Sequence, residues 1–160
     1  SLVDEFSRYA RMPGPQLAAT AIDGLLSEVV ALYRDVKPGV GIGTRVAPEI
    51  GEIWVDPEQL RRVLINLLDN ALEATEPPGE VEVRAERRGE RLILEVADSG
   101  SGIPAEDRDK LFLPFFSRKK RGTGMGLAIV HRIVSDHNGS IRVSGNLPHG
   151  SVFTVELPVR

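Results

Sequence analysis

The sequence predicts an α/β fold, and three stretches carry that prediction. They are a long amphipathic helix opening at Asp56, an alternating hairpin over residues 81–97, and a second apolar helix from Gly126 followed by two closing strands. At 160 residues the chain has the length of one domain, or of one domain with a short appendage. Its 41% hydrophobic residues supply a core and exclude disorder as the main state.

Taken in order, Leu2, Val3, Phe6, Tyr9 and Ala10 recur at three- and four-residue spacings, one stripe of a helix ended by Pro13-Gly14-Pro15. So short a helix needs a partner surface, or is the end of a longer one. A second helix is expected over Ile22 to Asp35, stopping near Pro38-Gly39. Val40, Ile42, Thr44 and Val46 then alternate as in a strand, and Ile50 to Val55 reads as another.

Asp56-Pro57-Glu58-Gln59 is a helix start, with Asp56 as N-cap, Pro57 where no N–H is needed, and Gln59 placed for a capping box. Leu60, Val63, Leu64, Leu67, Leu68, Ala71 and Ala74 give this helix one apolar face as far as Thr75, and Pro77-Pro78-Gly79 ends it. Val81, Val83 and Ala85 alternate, residues 87–90 turn, and Arg91 to Ala97 returns as an antiparallel strand leading into Asp98. Gly126 to His137 is helical through Leu127, Val130, Ile133 and Val134, with Asn138-Gly139 as C-cap. Strands over Ser140 to Gly145 and Ser151 to Leu157 close the chain.

Composition excludes several classes of function. Lys+Arg 20 against Asp+Glu 23 leaves a net charge of -3, so no overall positive field points to nucleic acid. With no Cys there is no disulfide framework, Cys-zinc site or thiol catalysis, and the three His form no HExxH. No apolar run approaches the roughly 18 to 20 residues that cross a bilayer. The first residue is Ser1 and the chain is already helical there, so a piece of a longer protein is expected.

Three constellations carry chemistry. Asn66 and Asn70 lie four apart on the capped helix, only ~40° from each other around its axis, at the border of the apolar face. A lone Asn there would ordinarily face solvent or bond to backbone. Two at this spacing suggest a polar site, and an Asn carbonyl is a hard oxygen suited to Mg²⁺. The second constellation is Asp98-Ser99-Gly100-Ser101-Gly102-Ile103-Pro104, directly after a strand. It reads either as an ordinary Asp/Gly turn or as a ligand loop in which the missing Cβ atoms admit a planar ring and Asp98 accepts from an exocyclic amine. Its formal match to a GxGxxA dinucleotide pattern fails on context, because Pro104 and the acids after it make a poor phosphate-binding helix start. The third is Arg118-Lys119-Lys120-Arg121-Gly122-Thr123-Gly124-Met125-Gly126, a cationic, glycine-rich helix start that reads as a phosphate cradle and is not a Walker loop. Between these lie Phe112, Phe115 and Phe116, either core or the anchor of a lid.

In this order the segments resemble the ATP-binding catalytic domain of sensor histidine kinases, within the superfamily shared with DNA gyrase, Hsp90 and MutL. Asn66-Leu67-Leu68-Asp69-Asn70-Ala71 is similar to the N box, Asp98 to Gly102 to the first glycine box, Leu111 to Phe116 to the F box, and Gly122 to Leu127 to the second glycine box. The resemblance covers about Ala18 to Arg160. Residues 1–15 resemble the end of the dimerisation hairpin and linker of NtrY-type nitrogen-regulation kinases, leaving 16–160 as the catalytic domain.

The resemblance implies a two-layer α/β sandwich of the Bergerat type, a mixed, mostly antiparallel sheet with helices on one face. It implies ATP and Mg²⁺ as cofactors, with Asn70 on the metal, Asn66 lining the phosphate site and Asp98 on the adenine amine. Gly100, Gly102 and Ile103 would lie in the adenine loop. Lys119, Gly122, Thr123, Gly124, Met125, Gly126 and Leu127 would lie along the phosphate tail, and Thr154 would support the adenine pocket. Where the family often has Thr, this lid has Arg118.

Asn66, Asn70 and Lys119 are then the catalytic candidates. ATPases of the superfamily carry a Glu at the position of Asn66, and an amide is no general base, so little or no ATP hydrolysis is expected. The phosphoryl acceptor would be a His on a dimerisation domain that this chain lacks, in a homodimer, with a response regulator downstream and no nucleic acid or membrane contact by this piece. The implied location is cytoplasmic, with the full-length protein anchored in the inner membrane. Two alternatives share the nucleotide site: an anti-sigma-type serine kinase and a non-catalytic module that signals by lid closure.

Overall fold

The computed structural model describes residues 1–114, 116 and 125–159. Five strands form one sheet in the order β2-β4-β5-β7-β6: β2 (Val40–Val46), β4 (Gly79–Arg88), β5 (Arg91–Asp98), β7 (Ser151–Pro158) and β6 (Ser140–Gly145). The β2/β4 pair is parallel and the other neighbours are antiparallel. A separate antiparallel pair joins β1 (Ala18–Ala21) to β3 (Glu52–Val55). Helices α2 (Ile22–Ala31), α3 (Pro57–Ala74) and α5 (Gly126–Asp136) pack on one face of the large sheet, giving the two layers the resemblance implies.

Period-two alternation decides which strand residues meet those helices. Val81, Val83, Leu92, Leu94, Val96, Phe153, Val155 and Leu157 point inward and are buried with Leu60, Leu64, Leu67 and Leu68 of α3 and Ile129 and Ile133 of α5. The outer face carries ion pairs, Arg84 to Glu82 and Glu95 at 2.8 and 3.2 Å and Arg142 to Glu156. The short helix α4 (Ala105–Arg108) follows the loop after β5. Among the described residues no helix is long and apolar enough to cross a membrane.

Asp56 caps α3 as its sequence predicts: Oδ1 accepts from the amides of Glu58 and Gln59, a cap worth about 1 kcal/mol. The reciprocal half of the capping box does not form. The Asp56 amide instead donates to Nε2 of His137 at 3.1 Å, and the Gln59 side chain donates to the Pro13 carbonyl. His137 Nδ1 donates to the Ile133 carbonyl at 2.8 Å, so one neutral imidazole joins the end of α5 to the start of α3. At the other end of α3, Lys37 Nζ donates to the Leu72 carbonyl at 2.7 Å, a cation where the helix dipole favours one.

Locally, one expectation changes and one strand was not foreseen. Helix α2 ends at Ala31 rather than Asp35, because the following amides of Leu32 and Tyr33 bond three residues back and Asp35 adopts a left-handed φ of 67°. At the end of α5 the Asn138-Gly139 cap forms as expected, with Asn138 in the left-handed conformation at φ 61°. Gly139 is required by space, since a Cβ there would lie 2.2 Å from the Glu156 carbonyl oxygen. Strand β1, unforeseen in the sequence, pairs Ala18 to Ala21 against β3.

The N-terminal helix α1 (Leu2–Ala10) buries none of its residues, and Leu2, Val3 and Phe6 are exposed. Its end is nonetheless tied down. Arg132 of α5 donates to the carbonyls of Tyr9 and Met12 at 2.6 and 3.3 Å, and its guanidinium lies 5.5 Å from the centre of the Tyr9 ring.

Candidate functional site

Asp98 ends β5 on the inward face of the sheet and is 2% exposed. Its Oδ1 accepts from the main-chain amides of Gly100 at 2.9 Å and Ser151 at 3.2 Å. Both bonds fall on one oxygen, and among the described residues none falls on Oδ2. Burial raises the pKa of this carboxyl, and the two amide bonds oppose that rise by stabilising the charged form.

The loop after Asp98 is wedged between the end of α3 and the turn joining β6 to β7. Ser101 donates its amide to the Ala74 carbonyl at 3.2 Å, and Ser99 exchanges bonds with Glu80. The glycines of this loop also have reasons within the fold itself. A Cβ on Gly100 would lie 2.3 Å from the Ala74 carbonyl oxygen, so glycine there permits packing on α3. Gly102 has φ +79°, a left-handed conformation that favours glycine. Ile103 is half-buried against the core.

Asn66 and Asn70 share one flank of α3, both half-buried, as their spacing predicts. Asn66 Nδ2 donates to the carbonyl of Gly126 at 3.2 Å, so the flank abuts the first turn of α5. Among the described residues no side chain caps helix α5, and the first amides of a helix can bind an anion. Met125 is fully buried in the core, so its side chain packs under the site rather than lining it, and Leu127 is half-buried against the same core. Leu111 is buried, and Phe112 packs edge-on against Phe153 with ring centres 6.3 Å apart, so this part of the aromatic cluster is core. Lys119, Gly122, Thr123 and Gly124 lie outside the described residues, as do Phe115 and Arg118.

Thr154 is not brought to this site. It pairs with Glu95 and Arg142, on the outer face of the sheet, whereas Asp98 pairs with Ser151 on the inner one. Ser151 and Thr154 differ by three positions, an odd number that reverses the face in a strand. Ser151 is therefore the β7 residue that touches Asp98. Its sequence signal was slight, a serine after Gly150 at the start of a strand.

Among the described residues no group of three His, Cys, Asp or Glu could hold a metal ion alone. The Asn70 amide takes no hydrogen bond from them. That donor set suits Mg²⁺ sharing phosphate oxygens and water with a single protein ligand. A small cavity of about 60 Å³ lined by Pro15, Trp54, His137 and Pro158 lies at the other end of β7 and is too small for a nucleotide.

Comparisons with known proteins agree with this fold. Residues 55–160 match the family described as histidine kinase-, DNA gyrase B-, and HSP90-like ATPase. Nitrogen regulation protein NtrY of Azorhizobium caulinodans is 35% identical over 99% of this chain, which spans 21% of that protein. The catalytic domain of histidine kinase ThkA superposes with TM-score 0.83 at 32% identity, covering 90% of this chain and 96% of that domain. Full-length ShkA, solved with AMPPNP, superposes with TM-score 0.88 at 33% identity over 98% of this chain and 35% of its own. ThkA has also been solved with the response regulator TrrA; there the match covers 99% of this chain and 46% of that one, at 28% identity and TM-score 0.86.

Proposed function

The chain belongs to the histidine kinase-, DNA gyrase B- and HSP90-like ATPase family, as a catalytic domain of the sensor histidine kinase type, and from that premise we propose that it binds ATP with Mg²⁺ for phosphoryl transfer to a histidine on a dimerisation segment of the same protein. The observation that carries this reading is the setting of Asp98, buried, with two main-chain amides on one oxygen and the other oxygen left for an incoming amine.

In this reading Asp98 Oδ2 accepts from the exocyclic amine of adenine, and the loop to Ile103 flanks the base. Asn70 holds Mg²⁺ together with phosphate oxygens, and the bound metal neutralises phosphate charge. Asn66 lines the phosphate site while keeping its bond to Gly126. The first amides of α5, with Lys119, Gly122, Thr123 and Gly124 before them, take the phosphate tail. Phosphoryl transfer of this kind rests on positioning and charge neutralisation, so a side-chain base is not needed. Asn66 supplies none, which supports transfer over hydrolysis.

The acceptor lies elsewhere. His137 has both ring nitrogens engaged, His149 Nδ1 bonds to the Gly100 carbonyl at 3.1 Å, and His131 lies against Phe112 with ring centres 5.9 Å apart. Residues 1–15 are read as the end of the dimerisation hairpin and its linker, 16–160 as the catalytic domain, and the whole protein as a membrane-anchored homodimer serving nitrogen regulation. The likeness to NtrY supports that assignment, and the ThkA complex supports a response regulator downstream.

The test is reconstitution. This chain, mixed with a separately produced dimerisation segment carrying the acceptor His and with labelled ATP, should form acid-labile phosphate on the segment and none on itself. No transfer in any arrangement would favour a nucleotide-responsive module without catalysis.

A further inference from the structure

We propose that the turn between β6 and β7 is a positioning element for adenine recognition, with Asn146 and His149 as the residues that hold the Asp98 loop in its binding shape. The inference rests on the nucleotide reading above and adds residues outside the motifs that carry it.

The loop from Asp98 to Gly102 is fixed on three sides. Glu80 of β4 holds Ser99, and the Ala74 carbonyl at the end of α3 holds the Ser101 amide. The third side is the β6–β7 turn. Asn146 Nδ2 donates to the carbonyl of Asp98 at 2.8 Å, and His149 Nδ1 donates to the carbonyl of Gly100 at 3.1 Å. Gly150, φ +114°, lies so close that a Cβ would fall 1.9 Å from the same Asp98 oxygen. The turn is braced internally, with the Asn146 amide bonded to the Gly150 carbonyl at 3.0 Å and the Leu147 amide to Asn146 Oδ1 at 3.0 Å.

Gly100 is where this bracing acts. The residue must be glycine to pack on Ala74, and glycine has the least restricted backbone of any residue. Its amide keeps Asp98 Oδ1 occupied and so leaves Oδ2 to the ligand. The His149 bond fixes the other side of the same residue, its carbonyl. With N–H and C=O both tied, Gly100 cannot rotate away from Asp98. Without His149 only the amide bond to the carboxylate and the packing on α3 restrain it, and once the Gly100 amide turns away Oδ1 keeps the Ser151 amide alone, so the carboxylate is held less firmly with Oδ2 towards the ligand. Asn146 acts one step earlier, through the main chain of Asp98 itself.

The test compares ADP with inosine diphosphate, which offers a carbonyl where adenine has its amine, by calorimetry on the folded chain. Wild type should prefer ADP. His149→Ala should weaken ADP by about 3- to 10-fold, the loss of one hydrogen bond, and leave inosine diphosphate unchanged, so the preference shrinks. His149→Asn, whose Nδ2 can reach the place of the lost donor, should restore it. Asn146→Ala should behave like His149→Ala, and provides the reading if that variant does not fold. Equal weakening of both nucleotides, an unchanged preference in both alanine variants, or no recovery in His149→Asn would overturn the proposal. A wild type without preference for ADP would instead overturn the adenine reading of Asp98, and this inference with it.

Discussion

The main-chain amide of Ser151 donates to Oδ1 of Asp98 across 3.2 Å, so the strand that pairs with β5 also orients the carboxylate at its end. Burial raises the pKa of Asp98 despite that bond and the one from Gly100. The folded state therefore binds the Asp98 proton more tightly than the unfolded chain does. Stability falls wherever the folded state holds more protons and pH rises. Between the ordinary carboxylate value of 3.8 and the raised one, the nucleotide-free protein should lose stability as pH increases, and above the raised value the full cost of burying the charge remains. Asp98→Asn keeps an oxygen for both amides and removes that charge. Urea unfolding at several pH values should show the variant gaining on wild type through this window.

Two glycines should respond to alanine in opposite ways. Gly150→Ala places a Cβ 1.9 Å from the Asp98 carbonyl at φ +114°, and should destabilise the domain by about 3 kcal/mol or more. Gly126→Ala opens α5 with nothing within 4 Å of the new Cβ, and should be neutral or stabilising by up to about 1 kcal/mol. Thermal unfolding of both variants checks the contrast.

His137→Phe preserves ring volume but leaves the buried Asp56 amide without its acceptor, while the Ile133 carbonyl keeps only the bond from the main-chain amide of residue 137. A loss of about 2 kcal/mol in unfolding free energy is expected, with nucleotide affinity little changed. His137 ends the helix that Gly126 begins, roughly 16 Å away at 1.5 Å per residue. A large loss of affinity without loss of stability would contradict a purely structural role.

Asn70 and Asp98 should separate by metal. Mg²⁺ should tighten binding of an ATP analogue to wild type, and Asn70→Ala should remove most of that gain while leaving metal-free binding near wild type. Calorimetric titrations with and without Mg²⁺ check this. An equal response to Mg²⁺ in wild type and variant would refute the metal role of Asn70.

Much of this architecture was legible because local signals and tertiary demands agree. Asp56-Pro57 begins α3 in sequence and structure alike, and the apolar faces of α3 and α5 are the buried ones. What was not legible depends on distant partners. The tetrapeptide Ala18-Ala19-Thr20-Ala21 has no strand pattern of its own and is a strand because β3 lies beside it. Gln59 matches a capping box, but His137, far along the chain, takes the donor it would have reached. Within the site, Asn66, Asn70 and Asp98 stood in recognisable motifs, whereas Ser151, Asn146 and His149 act through bonds to main-chain or carboxylate atoms of a neighbouring loop. Thr154 shows the same limit, since its strand was foreseen while the register that turns it outward is set by pairing with β5.

The most direct test titrates ADP into the wild-type chain and into Asp98→Asn by calorimetry, with and without Mg²⁺ and with GTP as the control. Metal-sensitive binding of ADP to wild type, no comparable binding of GTP, and a loss of about 10-fold or more in Asp98→Asn are predicted, as for a hydrogen bond to a charged group. Equal binding of the two nucleotides, or an Asp98→Asn protein that folds and binds ADP like wild type, would contradict the account.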